Sequence, residues 1–161
     1  MNEIRIESLT PARFRSQWDA LDRVARERKY LIFLQAPPYE SSEIYFKSMM
    51  GEAGVMMQAL DGERVVGWCD LRRAEAEISK HCGTLGMGII DGYRGRGVGE
   101  RLITQTLEAI RNSNLGIERV ELTVWGSNVR AIGLYEKVGF AHEGRKIRAR
   151  KIDGVTEDVV L

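Results

Sequence analysis

Apolar and polar positions change period several times along the chain, and each change marks a new element. Between Glu3 and Leu9, Ile4 and Ile6 alternate with charged residues, which predicts a short strand. Thr10-Pro11 supplies a cap followed by proline at a first helical turn. Phe14, Trp18, Leu21, Val24 and Ala25 then recur at helical spacing to about Arg28. Pro37 and Pro38 interrupt regular structure in QAPPYESS, and Ser41 or Ser42 is expected to cap a second helix through Met50. Val55–Leu60, Asp61-Gly62 and Arg64–Leu71 read as a hairpin with a type I′ turn. A further strand is expected over Cys82–Ile90, ending at Asp91-Gly92.

Val98, Leu102, Ile103, Leu107 and Ile110 share one face of a third helix, which Asn112–Gly116 ends. From Glu118 to Trp125 the pattern alternates cleanly, with Val120, Leu122 and Val124 on one face. Asn128 is expected to cap a fourth helix with Ala131, Ile132 and Tyr135 on its apolar side, stopping near Gly139. Two closing strands, about Phe140–Lys151 and Thr156–Leu161, meet at Asp153-Gly154. The order βααβββαβαββ describes an α+β protein, and its 161 residues suit one domain, 1–161.

Composition narrows the function classes. Apolar residues at 43% and charged residues at 29% belong to a globular chain. The 24 basic and 23 acidic residues nearly cancel, so neither nucleic acid nor an anionic membrane is an expected partner. MNEIRIES lacks the apolar core of a secretory signal, and YLIFLQA is too short to span a bilayer. Cys69 and Cys82 show no CxxC or zinc spacing, so they read as packed, reduced thiols of a cytoplasmic protein with no metal site.

The stretch YRGRGVGERLI, Tyr93–Ile103, carries the clearest chemistry. A strand, a glycine-rich turn and a helix together present backbone N–H groups and a positive dipole end to an anion. Gly95, Gly97 and Gly99 would let a pyrophosphate approach the main chain, with Arg94, Arg96 and Arg101 adding charge. A turn that merely satisfies backbone geometry is the competing reading. The loop lacks the Lys-Ser/Thr of a P-loop, and a preceding hairpin argues against a dinucleotide fold, although Glu118 stands near that fold's acidic position.

Two motifs together go further. Arg94-Gly-Arg-Gly97-Val-Gly99 fits [Q/R]-x-x-G-x-[G/A], and Asn128 to Phe140 fits N-x-x-A-x-x-[LF]-Y-x-x-x-G-F at every stated position. In these motifs and their spacing the sequence resembles the GCN5-related N-acetyltransferases (GNAT). Its ELTVWGSN and AIGLYEKVGF segments look most like the branch acting on small-molecule and amino-acid amines.

The resemblance implies a mixed, mostly antiparallel sheet of about seven strands flanked by about four helices, with two adjacent parallel strands splayed apart. It implies acetyl-CoA as cosubstrate. Its pantetheine arm would pair with Met87, Gly88 and Ile89, and its pyrophosphate would meet the loop Arg94, Gly95, Arg96, Gly97, Val98 and Gly99. Asn128 would contact the same molecule or cap its helix, or do both.

Acetyl transfer needs a neutral amine, a donor for the thioester oxygen and a proton for the departing thiolate. An amine of pKa about 10.4 is neutral in roughly one molecule in a few thousand at pH 7. The resemblance places the acid at Tyr135, with a core tyrosine as the plain alternative. It places the usual basic glutamates at Thr84 and Thr123, which cannot take a proton. Glu121 shares the face of Thr123 but lies about 7 Å further along a strand, where it could act only through water. His81 is a second candidate, and the base stays unassigned. Tyr39, Glu40 and Glu43, in the segment expected to cover the acceptor, could receive a cationic amine.

The run RKIRARK reads as a solvated strand face. No cysteine falls at a motif position, which favours direct transfer, and exposed C-terminal strands favour a homodimer. The missing glutamates leave a rival, a non-catalytic CoA-binding sensor or partner-binding module.

Overall fold

The computed structural model describes residues 3–161. The chain divides into two compact units, one ending at Val120 and the other spanning Glu121–Leu161. In the first lie β1 (Arg5–Ser8), α1 (Phe14–Arg26), α2 (Tyr39–Met49), β2 (Gly54–Asp61), β3 (Arg64–Arg73), β4 (Cys82–Ile89) and α3 (Val98–Arg111). There follow β5 (Arg119–Glu121), β6 (Val124–Trp125), α4 (Val129–Lys137), β7 (Arg145–Ile152) and β8 (Val155–Val160). Among the described residues, eight strands form a five-stranded sheet, β1-β2-β3-β4-β5, and a three-stranded sheet, β6-β8-β7. This replaces the expected sheet of about seven strands. Among the described residues, no helix is long and apolar enough to cross a membrane.

The strands β1 to β4 pair antiparallel in sequence order. β4 and β5 are neighbours joined through α3, the helical crossover that a parallel pair requires. The N–H groups of Glu118 and Arg119 both donate to the His81 carbonyl, at 2.8 and 3.0 Å, so the two strands start side by side. β5 then ends after 3 residues while β4 runs for 8.

Alternation along β3 fixes the two faces of the sheet. Gly67 and Leu71 point to α3: a Cβ on Gly67 would touch Leu102, and Leu71 clusters with Ile110 and Leu115. Trp68 and Asp70 take the opposite face with α1 and α2. There Phe14 and Phe46 pack at 5.5 Å, and Gln58 on β2 donates to Gln17 on α1 at 2.9 Å inside the core.

Several expected boundaries moved, each for a physical reason. α2 starts at Tyr39, with Pro38 as its N-cap and no side-chain cap. Proline fixes the entry φ, the Ser42 N–H closes the first turn on the Pro38 carbonyl at 3.0 Å, and Glu40 suits the positive helix end. Tyr39, Glu40 and Glu43 are therefore helical, not part of a loop.

The β2–β3 hairpin turns at Gly62-Glu63, since Asp61 still pairs with Arg64. Of Asp61, Gly62 and Glu63, only Gly62 has positive φ, so a type I′ turn is not formed. At the last hairpin both Asp153 (φ 50°) and Gly154 (φ 80°) are left-handed between the paired Ile152 and Val155, which is the type I′ pattern. The expected strand Glu118–Trp125 is broken at Leu122-Thr123, where the chain leaves one sheet and enters the other. Alternation records which face a residue takes but not which neighbour it pairs with. β7 begins at Arg145 and not near Phe140, and it is interrupted between Lys146 and Arg150, where Arg148 (φ 52°) is bulged with its N–H on Asp158.

The Gln17–Gln58 pair gives a direct test of the core. Gln58→Leu strands the Gln17 side-chain oxygen and is expected to cost about 1–3 kcal/mol in a urea titration. The double change Gln17→Leu/Gln58→Leu should recover part of that loss.

Candidate active site

The glycine loop leaves β4 and enters α3 with Gly95 at φ 73° and Gly97 at φ 75° on either side of Arg96. Left-handed residues alternating with ordinary ones turn successive N–H groups to one side and form an anion-binding concavity. Gly97 is the N-cap of α3 and offers no side-chain cap, so the N–H groups of Val98 and Gly99 begin the helix without an intrahelical acceptor. A Cβ at Gly97 would meet nothing within 4 Å, so the space above it is open. Behind the loop, Val98, Gly99, Leu102 and Ile103 are buried. Arg101 donates to the Ile4 carbonyl at 2.9 Å.

Arg94 takes another course. Its Nε donates to the Ile89 carbonyl at 2.7 Å, and its two Nη atoms form a fork on the Glu27 carboxylate at 2.8 and 2.5 Å. The guanidinium also lies 4.6 Å from the centre of the Tyr30 ring. The charge expected to meet phosphate is thus spent on tying the loop to the end of α1. The Arg94 backbone remains part of the loop.

Hydrogen-bond directions along β4 sort the expected pantetheine residues. Ile90 donates to Val66 and Cys82 accepts from Ala74, so the even-numbered residues face β3. His81 accepts from Glu118, so the odd-numbered ones face the outer edge. Because direction alternates along a strand, Met87 and Ile89 direct N–H and C=O outward. Gly88 directs its own toward β3. A Cβ on Gly88 would lie 2.3 Å from the Trp68 ring, so this glycine makes room for the indole.

Across from Gly86 stands Asp70, which no motif singled out. Its Oδ2 accepts the Tyr45 hydroxyl of α2 at 2.8 Å. Burial pushes the Asp70 carboxyl up to about 6, against hydrogen bonds from Tyr45 and the Trp68 indole that favour its charged form. Burial and the neighbouring Asp70 charge likewise hold the Tyr45 phenol far above its ordinary range.

The remaining expected residues are placed as follows. Tyr39 packs edge-on to Trp18 at 6.2 Å, with the Arg15 guanidinium over both rings. Glu43 lies 3.6 Å from Lys47, and Glu40 is exposed on the first turn of α2. Thr84 is exposed on β4, opposite Arg72. In the second unit Glu121 is exposed at the end of β5. Asn128 caps α4, its Oδ1 accepting the Ala131 N–H at 3.3 Å. Tyr135 packs edge-on to Phe140 at 5.8 Å.

Comparison with known proteins accords with this frame. Residues 18–140 match the family model of the Acetyltransferase (GNAT) family, and the chain belongs to that family. It is an N-acetyltransferase by that membership. The L-amino acid N-acetyltransferase AaaT of Escherichia coli is 29% identical over 122 residues, 74% of each chain. A GNAT-family acetyltransferase structure from Streptococcus pneumoniae superposes with a TM-score of 0.88 at 25% identity, covering 98% of this chain and 96% of that one. The phosphinothricin acetyltransferase of Sinorhizobium meliloti, in complex with acetyl-CoA, shares the fold at a TM-score of 0.89 and 16% identity, over 99% and 86% of the two chains.

The Arg94–Glu27 fork predicts a measurable coupling. Arg94→Lys keeps the charge but loses the planar fork, and Glu27→Gln keeps the shape but loses the charge. Each should lower stability by about 1–3 kcal/mol. A double-mutant cycle in urea should show that the two losses do not add.

Proposed function

We propose that this chain transfers the acetyl group of acetyl-CoA directly to the primary amine of a small molecule or amino acid. The observation that carries the proposal is the continuity of β4 with the glycine loop. Outward N–H groups of Met87 and Ile89 lead into the left-handed Gly95 and Gly97 and then into the uncapped start of α3. An extended amide-bearing arm ending in a pyrophosphate is complementary to that sequence of donors. The residues therefore fit acetyl-CoA, whose thioester is the source of the acetyl group.

In this reading the N–H groups of Arg94 to Gly99 hold the pyrophosphate, and the Ile89 N–H steadies charge developing on the thioester oxygen. Tyr135 gives a proton to the leaving sulfur, and Asn128 adds a contact to the cofactor arm with the donor its cap does not use. Glu121 acts through water. Tyr39, Glu40 and Glu43 belong to the helix that opens toward the acceptor, where Glu40 is the carboxylate best exposed to meet a cation. The whole span 1–161 works as one acetyltransferase domain, in the cytoplasm and as a homodimer. The name of AaaT, an amino-acid acetyltransferase, supports the amine class.

Thiol release from acetyl-CoA against a panel of L-amino acids and small primary amines tests the proposal. Turnover with at least one amine is expected. Calorimetric acetyl-CoA binding without thiol release for any amine would favour the non-catalytic module instead. Tyr135→Phe should reduce kcat far more than acetyl-CoA affinity. Gly97→Ala should cost about 1–2 kcal/mol of stability through its left-handed φ, and should weaken acetyl-CoA binding at least tenfold.

A further inference from the structure

Resting on that reading, we infer that Asp70 is the general base that takes the proton from the acceptor ammonium, with Tyr45 as its positioning partner. The two strand positions where the resemblance expects a basic glutamate hold Thr84 and Thr123. The β3–β4 register supplies a carboxylate one strand over. Arg72 pairs with Thr84, Asp70 with Gly86 and Trp68 with Gly88, so Asp70 and Thr84 lie on the same face as diagonal neighbours. Gly86 makes room for the carboxylate, since a Cβ there would crowd Asp70 Oδ1 at 3.3 Å. The carboxylate is thus directly across from the residue that precedes Met87 and Ile89, whose backbones are assigned to the cofactor arm.

The surroundings suit a base rather than a structural anion. Tyr45 occupies one oxygen from α2, and Asp70 retains partial exposure. On β3 the Trp68 indole donates and Arg72 contributes positive charge, while β2 presents the apolar Met56 opposite. β4 presents Gly86 and Thr84, neither of which titrates. Cys69 lies on the other face of β3, and burial keeps its thiol neutral. A carboxyl raised to about 6 stays ionised at neutral pH, yet accepts a proton more readily than an ordinary aspartate.

The proton balance is simple. The Asp70 carboxylate removes one proton from R–NH3+ and becomes the neutral acid, still hydrogen-bonded to Tyr45. The nitrogen lone pair forms the C–N bond to the thioester carbonyl carbon, and the C–S bond breaks. The proton shed by nitrogen as the amide forms balances the one that the thiolate takes to leave as CoA thiol. Asp70 returns its proton to water.

The test uses the full chain, acetyl-CoA, and whichever L-amino acid of the panel the wild type acetylates fastest. Wild-type kcat/KM should fall on an acid limb near pH 6 and stay level from about pH 7 to 8, where Asp70 is ionised. Asp70→Asn should retain its fold and its calorimetric acetyl-CoA affinity, and lose roughly a hundredfold or more in rate at pH 7. Its remaining rate should climb about tenfold per pH unit as free neutral amine accumulates. Tyr45→Phe removes a hydrogen bond to the charged carboxylate, so its acid limb should move to higher pH with little loss at pH 8.

An Asp70→Asn enzyme as active as wild type overturns the assignment. So does one slowed by the same factor at every pH, or one that loses acetyl-CoA binding. A wild type that releases no thiol with any amine overturns the transferase reading and this proposal with it. An active wild type beside an equally active Asp70→Asn overturns the base alone.

Discussion

The pairing register of β3 against β4 is the constraint from which the candidate site is built. Antiparallel strands set side chains opposite one another in fixed pairs, and a slip of one residue would turn every one of them to the other face. In this register the largest ring in β3 falls on a glycine, and the carboxylate falls on another. Trp68 can lie flat because Gly88 has no side chain, and its indole then reaches Asp70. The same alternation sends the Leu71 side chain into the α3 core and the Met87 and Ile89 backbones to the outer edge. One ladder therefore sets the packing on both faces, the outward donors and the half-buried acid.

The loop that follows β4 is held from two directions. α3 anchors it from behind, through Leu102 and Ile103 in the core and through Thr106, whose hydroxyl bonds the carbonyls of Leu102 and Cys69. Arg94 anchors it from α1, through the Glu27 fork and the Tyr30 ring. Beyond Glu27 the chain is pinned again where Asp22 accepts the Ala36 N–H and Trp18 donates to the Pro37 carbonyl. Between those points Ile32, Phe33 and Leu34 stay exposed. The glycine loop is thus anchored from two elements, and Ala36 and Pro37 tie the segment before α2 back to α1.

Much of the architecture was legible because it rests on local pattern. Helical spacing located α1, α3 and α4, and alternation located β2, β3 and β4. Two motifs marked the glycine loop and the Asn128–Phe140 segment. What escaped was non-local. The break at Leu122-Thr123 depends on which sheet the chain joins, and the start of α2 depends on a proline acting as a cap where a serine was expected. The direction of the Arg94 side chain depends on Glu27, 67 residues away in sequence. Asp70 carried a signal that could have been read: it is an acid inside the apolar run VVGWCDL, on the parity that faces α1 and α2. Its partner Tyr45, 25 residues away, carried none.

The clamp on Arg94 also decides what kind of field the glycine loop offers. With that guanidinium neutralised by Glu27, the part of the field fixed in place comes from backbone dipoles at Gly95, Gly97 and the start of α3. Mobile side-chain charges are screened by dissolved ions over a Debye length of about 8 Å at physiological ionic strength. Dipoles at contact distance are screened far less. In the proposed reading such a loop would meet an anion with short-range donors, on which ionic strength has less leverage than on exposed side-chain charges.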